Sequence, residues 1–124
     1  MKVFVLVKPT FFWVREELER LLIEGGLRVI GERVVRLNNL DVIAMYSDKV
    51  REPFWNEMVE YLTSADSLVL FVQGKDAIKT VLRIKGKYGV GGLRDKYNVS
   101  RVHNVMHSPE NKEENKVGLR VLRG

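Results

Sequence analysis

Two short apolar runs, KVFVLV at 2–7 and SLVLFV at 67–72, constrain this chain more than any other feature. Both are rich in β-branched residues and neither alternates cleanly with polar ones, so each reads as a buried strand. Both are far too short to span a bilayer. The N-terminal MKVFVLVKP lacks a small-residue cleavage site, so it reads as a strand rather than a signal peptide. With 124 residues, 45% apolar and 30% charged, the chain is expected to form one domain over 1–124 with a real core. The absence of cysteine removes disulfides, thiolate metal sites and cysteine catalysis together, and it fits a cytoplasmic location.

Around the two runs the pattern is mixed. A stripe of Val14, Leu18, Leu21, Leu22 and Glu24 predicts a helix stopped by Gly25-Gly26. LRVIGERVVRL (27–37) alternates as a half-buried strand, with Gly31 marking a bulge. NNLDVIAMYSDKV opens a short helix at Asn38 or Asn39. EPFWNEMVEYLTS follows as a helix with Pro53 in its first turn and Phe54, Met58, Tyr61 and Leu62 on one face. After the strand at 66–74, Asp76 is expected to cap AIKTVLRIKG, with Ala77, Ile78, Val81 and Leu82 inward and Lys79, Arg83 and Lys85 outward. KYGVGGLRDKYN reads as a loop, VHNVMH as a final strand, ENKEEN as a brief helix begun by Pro109, and VGLRVLRG as a basic tail. The order β-α-β-α-α-β-α-β implies an α+β, ferredoxin-like split βαβ domain. That is a four-stranded antiparallel sheet with helices packed around it, in its simplest form on one face.

The chemistry-bearing residues are few. A net charge of +5 favours phosphate-bearing or acidic partners. His103 and His107 would sit about 13 Å apart if both lie in one strand, and no acidic residue falls between them, so no metal site is expected. GVGG (89–92) is not followed by the Lys-Ser/Thr of a P-loop and reads as a plain loop. Phe11, Phe12 and Trp13 are either a stacking platform for bases or core and subunit contacts. A nucleic-acid-binding domain of this class would carry aromatics on its central strands, and only Phe71 is a candidate, so no nucleic-acid partner is expected.

In order and spacing these segments resemble the nucleoside diphosphate kinase family over nearly the whole chain. FVLVKP is similar to that family's first strand and its Lys-Pro, MYSDKVREPFWNEMVEYLTS to its tyrosine and base-holding helix, and DSLVLFVQGKDAIKTVLRIKG to its third strand and phosphate-side helix. GGLRDKYNVSRVHNVMHSPEN resembles the segment that ends in the family's nucleophilic histidine. The resemblance implies ping-pong transfer of the γ-phosphoryl group of a nucleoside triphosphate to a nucleoside diphosphate through a phosphohistidine. It makes His107 the nucleophile and leaves His103 without a chemical role. Lys8, Arg83 and Arg94 would face phosphate, Asn104 the ribose, Phe54 and Met58 the base, and Tyr46 the histidine or phosphoryl group. It also implies nucleotide-bound Mg2+, nucleoside di- and triphosphates as partners, a homo-oligomer and no membrane.

The chain departs from that pattern at several points. The Lys-Pro is followed by TFFW instead of an Asp-Gly turn, and the loop before Arg94 is cut to KYGVGG. An ungapped alignment puts the family's phosphate arginine at Leu82, one residue or about 100° of helix from Arg83, so Lys79 or Lys85 can substitute. After His107 the family's Gly-Ser-Asp is SPE, and its orienting glutamate aligns nearest Lys116, with Glu113 and Glu114 nearby. These changes leave open a non-catalytic or weakly active nucleotide-binding relative with a regulatory role.

Overall fold

The computed structural model describes residues 1–97, 100 and 102–123. Strand β1 (Lys2–Val7) pairs antiparallel with β3 (Ser67–Gln73), from Lys2 opposite Gln73 to Val7 opposite Leu68. On the far side of β3 lies β2 (Arg28–Val35), and on the far side of β1 lies β4 (Met106–His107). The sheet order is therefore β2-β3-β1-β4, with every pair antiparallel. The β2–β3 register slips between Val29 and Gly31, which is the bulge expected at the glycine.

β1 and β3 are buried on both faces. Val3, Val5 and Val7 enter one core with Leu18 and Leu22 of α1 (Arg15–Glu24) and Ala77 and Val81 of α4 (Ala77–Lys85). Phe4 and Leu6 enter a second core on the opposite face. There they meet Val42 of α2 (Asn39–Met45), Met58 and Leu62 of α3 (Trp55–Ser64) and Leu122 of α6 (Lys112–Leu122). Helices thus cover both faces, not one. The apolar runs fail to alternate because each side chain meets a core whichever way it points. A four-residue helix, α5 (Leu93–Lys96), links α4 to the last strand.

Several boundaries differ from those expected. Pro53 precedes α3, because Glu52 N–H to Lys49 O and Trp55 N–H to Glu52 O bonds make the segment before it a run of turns. Asp76 sits at the head of α4 in a left-handed conformation (φ 53°) with no side-chain cap bond. By contrast Asn38 forms a reciprocal capping box with Asp41 at α2. The brief helix and basic tail are one element: Asn111 caps α6 by accepting from Glu114 N–H at 2.9 Å, and the helix runs on to Leu122. Only the last two residues of VHNVMH are strand, since Val102 and Asn104 turn in to meet Lys8. Asn98, in the expected loop, and Gly124, at the end of the tail, lie outside the described residues.

Where β4 stops, α6 takes over. β4 pairs β1 only at Leu6 and Val7. Further along the same edge, Phe4 N–H donates to Asn115 Oδ1 (3.3 Å) and Asn115 Nδ2 donates to Lys2 O (2.8 Å), so a buried amide side chain finishes the ladder. Gly118 lets α6 approach this closely: a Cβ there would lie 2.0 Å from the Phe4 ring.

Candidate active site

A cavity of about 270 Å³ opens where the ends of β1 and β4, the α2–α3 segment, the end of α4, α5 and the start of α6 converge. Lys8, Tyr46, Phe54, Met58, Arg94, Asn104 and His107 all line it. Arg83 does not: it is exposed on the outer face of α4, and Lys79 is exposed beside a different groove. Lys85, expected outward, is instead 5% exposed and lines the cavity. The signal was present in the spacing, since Ala77, Val81 and Lys85 recur every four residues and share the helix face that packs on the sheet.

Lys8 follows β1 directly, so the sheet fixes its backbone, and its N–H donates to Val105 O at 3.1 Å. Its buried ammonium donates to Asn104 Oδ1 (2.9 Å) and Val102 O (3.4 Å), both neutral acceptors. Burial, then Arg94 and Lys85, push its proton affinity well below that of an ordinary lysine. The Arg94 guanidinium donates through Nε and one terminal nitrogen to Met106 O (3.2 and 3.0 Å), which holds it against β4 beside the histidine. Burial lowers its proton affinity too, though an arginine in a protein stays charged.

The shortened glycine loop places Lys85 and Arg94 on one wall. Gly86 and Gly92 both have positive φ (67° and 83°) and are pressed together: a Cβ on Gly86 would lie 1.8 Å from Gly91 O. Lys87 and Gly91 bridge across the turn, and Asp95 Oδ1 accepts from Gly89 N–H at 2.7 Å. None of the glycines lines the cavity, so the cluster shapes it without reaching in.

His107 lies opposite Leu6 in β4, its ring centroid 4.4 Å from that of Tyr46 and 5.9 Å from that of Phe4. Burial first, then Lys8, Lys85, Arg94 and Lys49, hold the imidazole well below its usual pKa, so it is neutral at pH 7. No hydrogen bond joins its side chain to another described residue. The Tyr46 hydroxyl is buried and also unpartnered among the described residues, and burial raises its pKa, so it remains a potential donor. His103 lies outside the cavity lining, its ring 4.3 Å from that of Tyr61 and its Nε2 3.8 Å from a Glu57 carboxylate oxygen. Sequence reasoning passed over four further wall residues, Met45, Asp48, Lys49 and Glu52, which have no periodic pattern to betray them.

A split βαβ scaffold with a neutral histidine ringed by buried cations defines the class of the molecule. A family model for nucleoside diphosphate kinase matches residues 2–122, and the chain belongs to that family. It is 26% identical to a nucleoside diphosphate kinase of Sulfurisphaera tokodaii, over 98% of this chain and 87% of that one. It is 31% identical to one of Halorhodospira halophila, over 72% of this chain and 67% of that one. Among solved structures, a nucleoside diphosphate kinase from Encephalitozoon cuniculi superposes with a TM-score of 0.89 at 24% identity, covering 97% and 86% of the two chains. One from Aquifex aeolicus gives 0.84 at 21%, covering 98% and 93%. These superpositions carry the fold.

Proposed function

We propose that the protein transfers the γ-phosphoryl group of a nucleoside triphosphate to a nucleoside diphosphate through a phosphohistidine on His107. The observation that carries this reading is a neutral imidazole in a cavity walled by Lys8, Lys85 and Arg94. The ring-nitrogen lone pair attacks the γ-phosphorus as its bond to the bridging oxygen breaks, and the diphosphate leaves with that electron pair. A second diphosphate reverses the step and regenerates the free imidazole. Because this transition state spreads charge over phosphoryl oxygens, catalysis depends on cations and positioning more than on proton transfer. Lys8 and Arg94 supply charge, the Tyr46 hydroxyl donates to the phosphoryl group, Asn104 meets the ribose, and Phe54 and Met58 receive the base. Stacking of that kind tolerates any base. Magnesium would enter with the nucleotide, as its counter-ion.

Incubation with γ-labelled ATP and Mg2+ should give acid-labile, base-stable label that is absent in His107→Ala and discharges onto added GDP. Nucleotide binding without label would overturn transfer and favour a non-catalytic relative. One feature favours slow turnover over the full rate: no carboxylate of a described residue hydrogen-bonds the imidazole, and an orienting bond of that kind is worth about 10²-fold. We also take the protein to act in the cytoplasm as a homo-oligomer, with Phe12 and Trp13, 38% and 61% exposed, in a contact between copies. A monomeric mass by light scattering would overturn the second of these. No helix among the described residues is long and apolar enough to cross a membrane.

A further inference from the structure

We propose that Lys85 is the cation with which α4 holds the phosphates of a bound nucleotide, and that it takes up a proton from solvent as they arrive. The inference deepens the nucleotide-binding reading of the cavity and rests on it. Lys85 is the last residue of α4, on the face that packs against the sheet, and the chain turns away immediately at Gly86. Its side chain therefore stays in the cavity wall, whereas that of Lys79 is exposed. Lys8, Lys85 and Arg94 share one cavity, and none of them forms an ion pair with a carboxylate of a described residue. Lys8 and Arg94 have at least neutral oxygens to donate to.

The groups facing Lys85 come from every surrounding element. Arg94 of α5 disfavours its charge most among the neighbouring groups, Glu110 after β4 and Glu114 of α6 each favour it less strongly than that, and Lys87 beyond α4 disfavours it least. Lys8 after β1 and His107 on β4 complete the near wall, and Tyr46, Asp48, Lys49 and Glu52 form the opposite one. Glu114 is already engaged, accepting from Glu110 N–H (3.2 Å) and Asn111 Nδ2 (3.3 Å). Burial and Arg94 together bring the Lys85 pKa down to about 8. At rest near that pH the amine is split between neutral and charged forms. A polyphosphate supplies the missing countercharge, and the amine then binds a proton and holds it.

The test is isothermal titration calorimetry on the full chain at pH 8 with inorganic tripolyphosphate and with ADP, in buffers of different ionisation enthalpy. The wild type should take up at least about half a proton per ligand. Its affinity should be about tenfold weaker at pH 9 than at pH 7. Lys85→Arg, which keeps the charge but cannot titrate, should bind with the Lys85 share of the uptake lost and a flatter pH dependence. Lys85→Met should lose both the uptake and most of the affinity. No buffer dependence in the wild type, or unchanged uptake in Lys85→Arg, overturns the proposal. Thermal unfolding of each variant shows that it is folded, and the wild-type buffer dependence decides the matter even if neither variant is. Tripolyphosphate binding with proton uptake but without phosphotransfer would leave the role of Lys85 standing while the kinase reading falls. Failure of both ligands to bind would remove both.

Discussion

Lys8 and Lys85 are both buried in the wall of one cavity, yet the sequence exposes them unequally. Lys8 ends an unbroken apolar strand and is followed by proline, a context that resembles a known family. Lys85 stands in a helix whose neighbouring charges suggest a solvated face, and only the four-residue spacing back to Val81 and Ala77 places it inside. His107 was legible from its distance to Arg94 and Asn104 along the chain. Its protonation state was not, because that depends first on burial and then on four cations, all brought about by folding. The consequence is measurable. Phosphoenzyme formation should have no acid limb near the ordinary histidine pKa, and its rate should change less than about twofold between pH 7.5 and 6. A titration centred at about 6.5 would show an unshifted imidazole. A second expectation concerns Asn104, whose side-chain oxygen accepts from the buried Lys8 ammonium. Asn104→Ala should cost about 1–3 kcal/mol in urea unfolding, because a buried charge loses a partner.

At the scale of elements, what the sequence misjudged lies mostly where a side chain completes what the backbone leaves unfinished. The two apolar strands, the bulge at Gly31 and the cap at Asn38 depend on local chemistry and are readable. The extent of β4 and the length of α6 are not, since each is set by the other across the edge of β1. ENKEEN and VGLRVLRG look like separate segments because Gly118 interrupts them, whereas in the fold that glycine is what brings α6 against Phe4. Asn115 then does the work of a missing strand residue. Asn115→Leu should therefore lower stability by about 1–3 kcal/mol and accelerate hydrogen exchange at the Phe4 amide more than at Val5. Asn115→Asp keeps an acceptor for Phe4 N–H and loses the donor to Lys2 O, so its Phe4 amide should remain the better protected of the two variants. Equal exchange at Phe4 in both would mean that the side chain does not pair with the edge.

For the molecule as a whole, the unbroken apolar runs state that the sheet is covered twice, and a single layer of helices is the wrong drawing of them. Two layers enclose the strand ends, and the cavity between them is where burial and like charge act together on Lys8, Lys85, Arg94 and His107. Ligand-free stability should carry the imprint of that concentration of charge. Below about pH 6.5 the unfolded chain binds a proton at His107 that the folded chain refuses, so stability falls on acidification. Between about pH 8 and 10.5 the unfolded chain likewise keeps a proton that folded Lys85 releases, so stability rises with pH by on the order of 3 kcal/mol, and Lys8 adds to the rise in the same sense. Tyr46 works in the opposite sense, because its raised pKa makes the folded state the tighter proton binder above about pH 10. The expected profile climbs through mild alkalinity and turns over near pH 10. Saturating tripolyphosphate should flatten the climb, since Lys85 and Lys8 that stay charged in the complex no longer release their protons. Urea unfolding across this range with and without tripolyphosphate measures both curves, and two parallel curves would mean that the cavity cations do not govern the protein's response to pH.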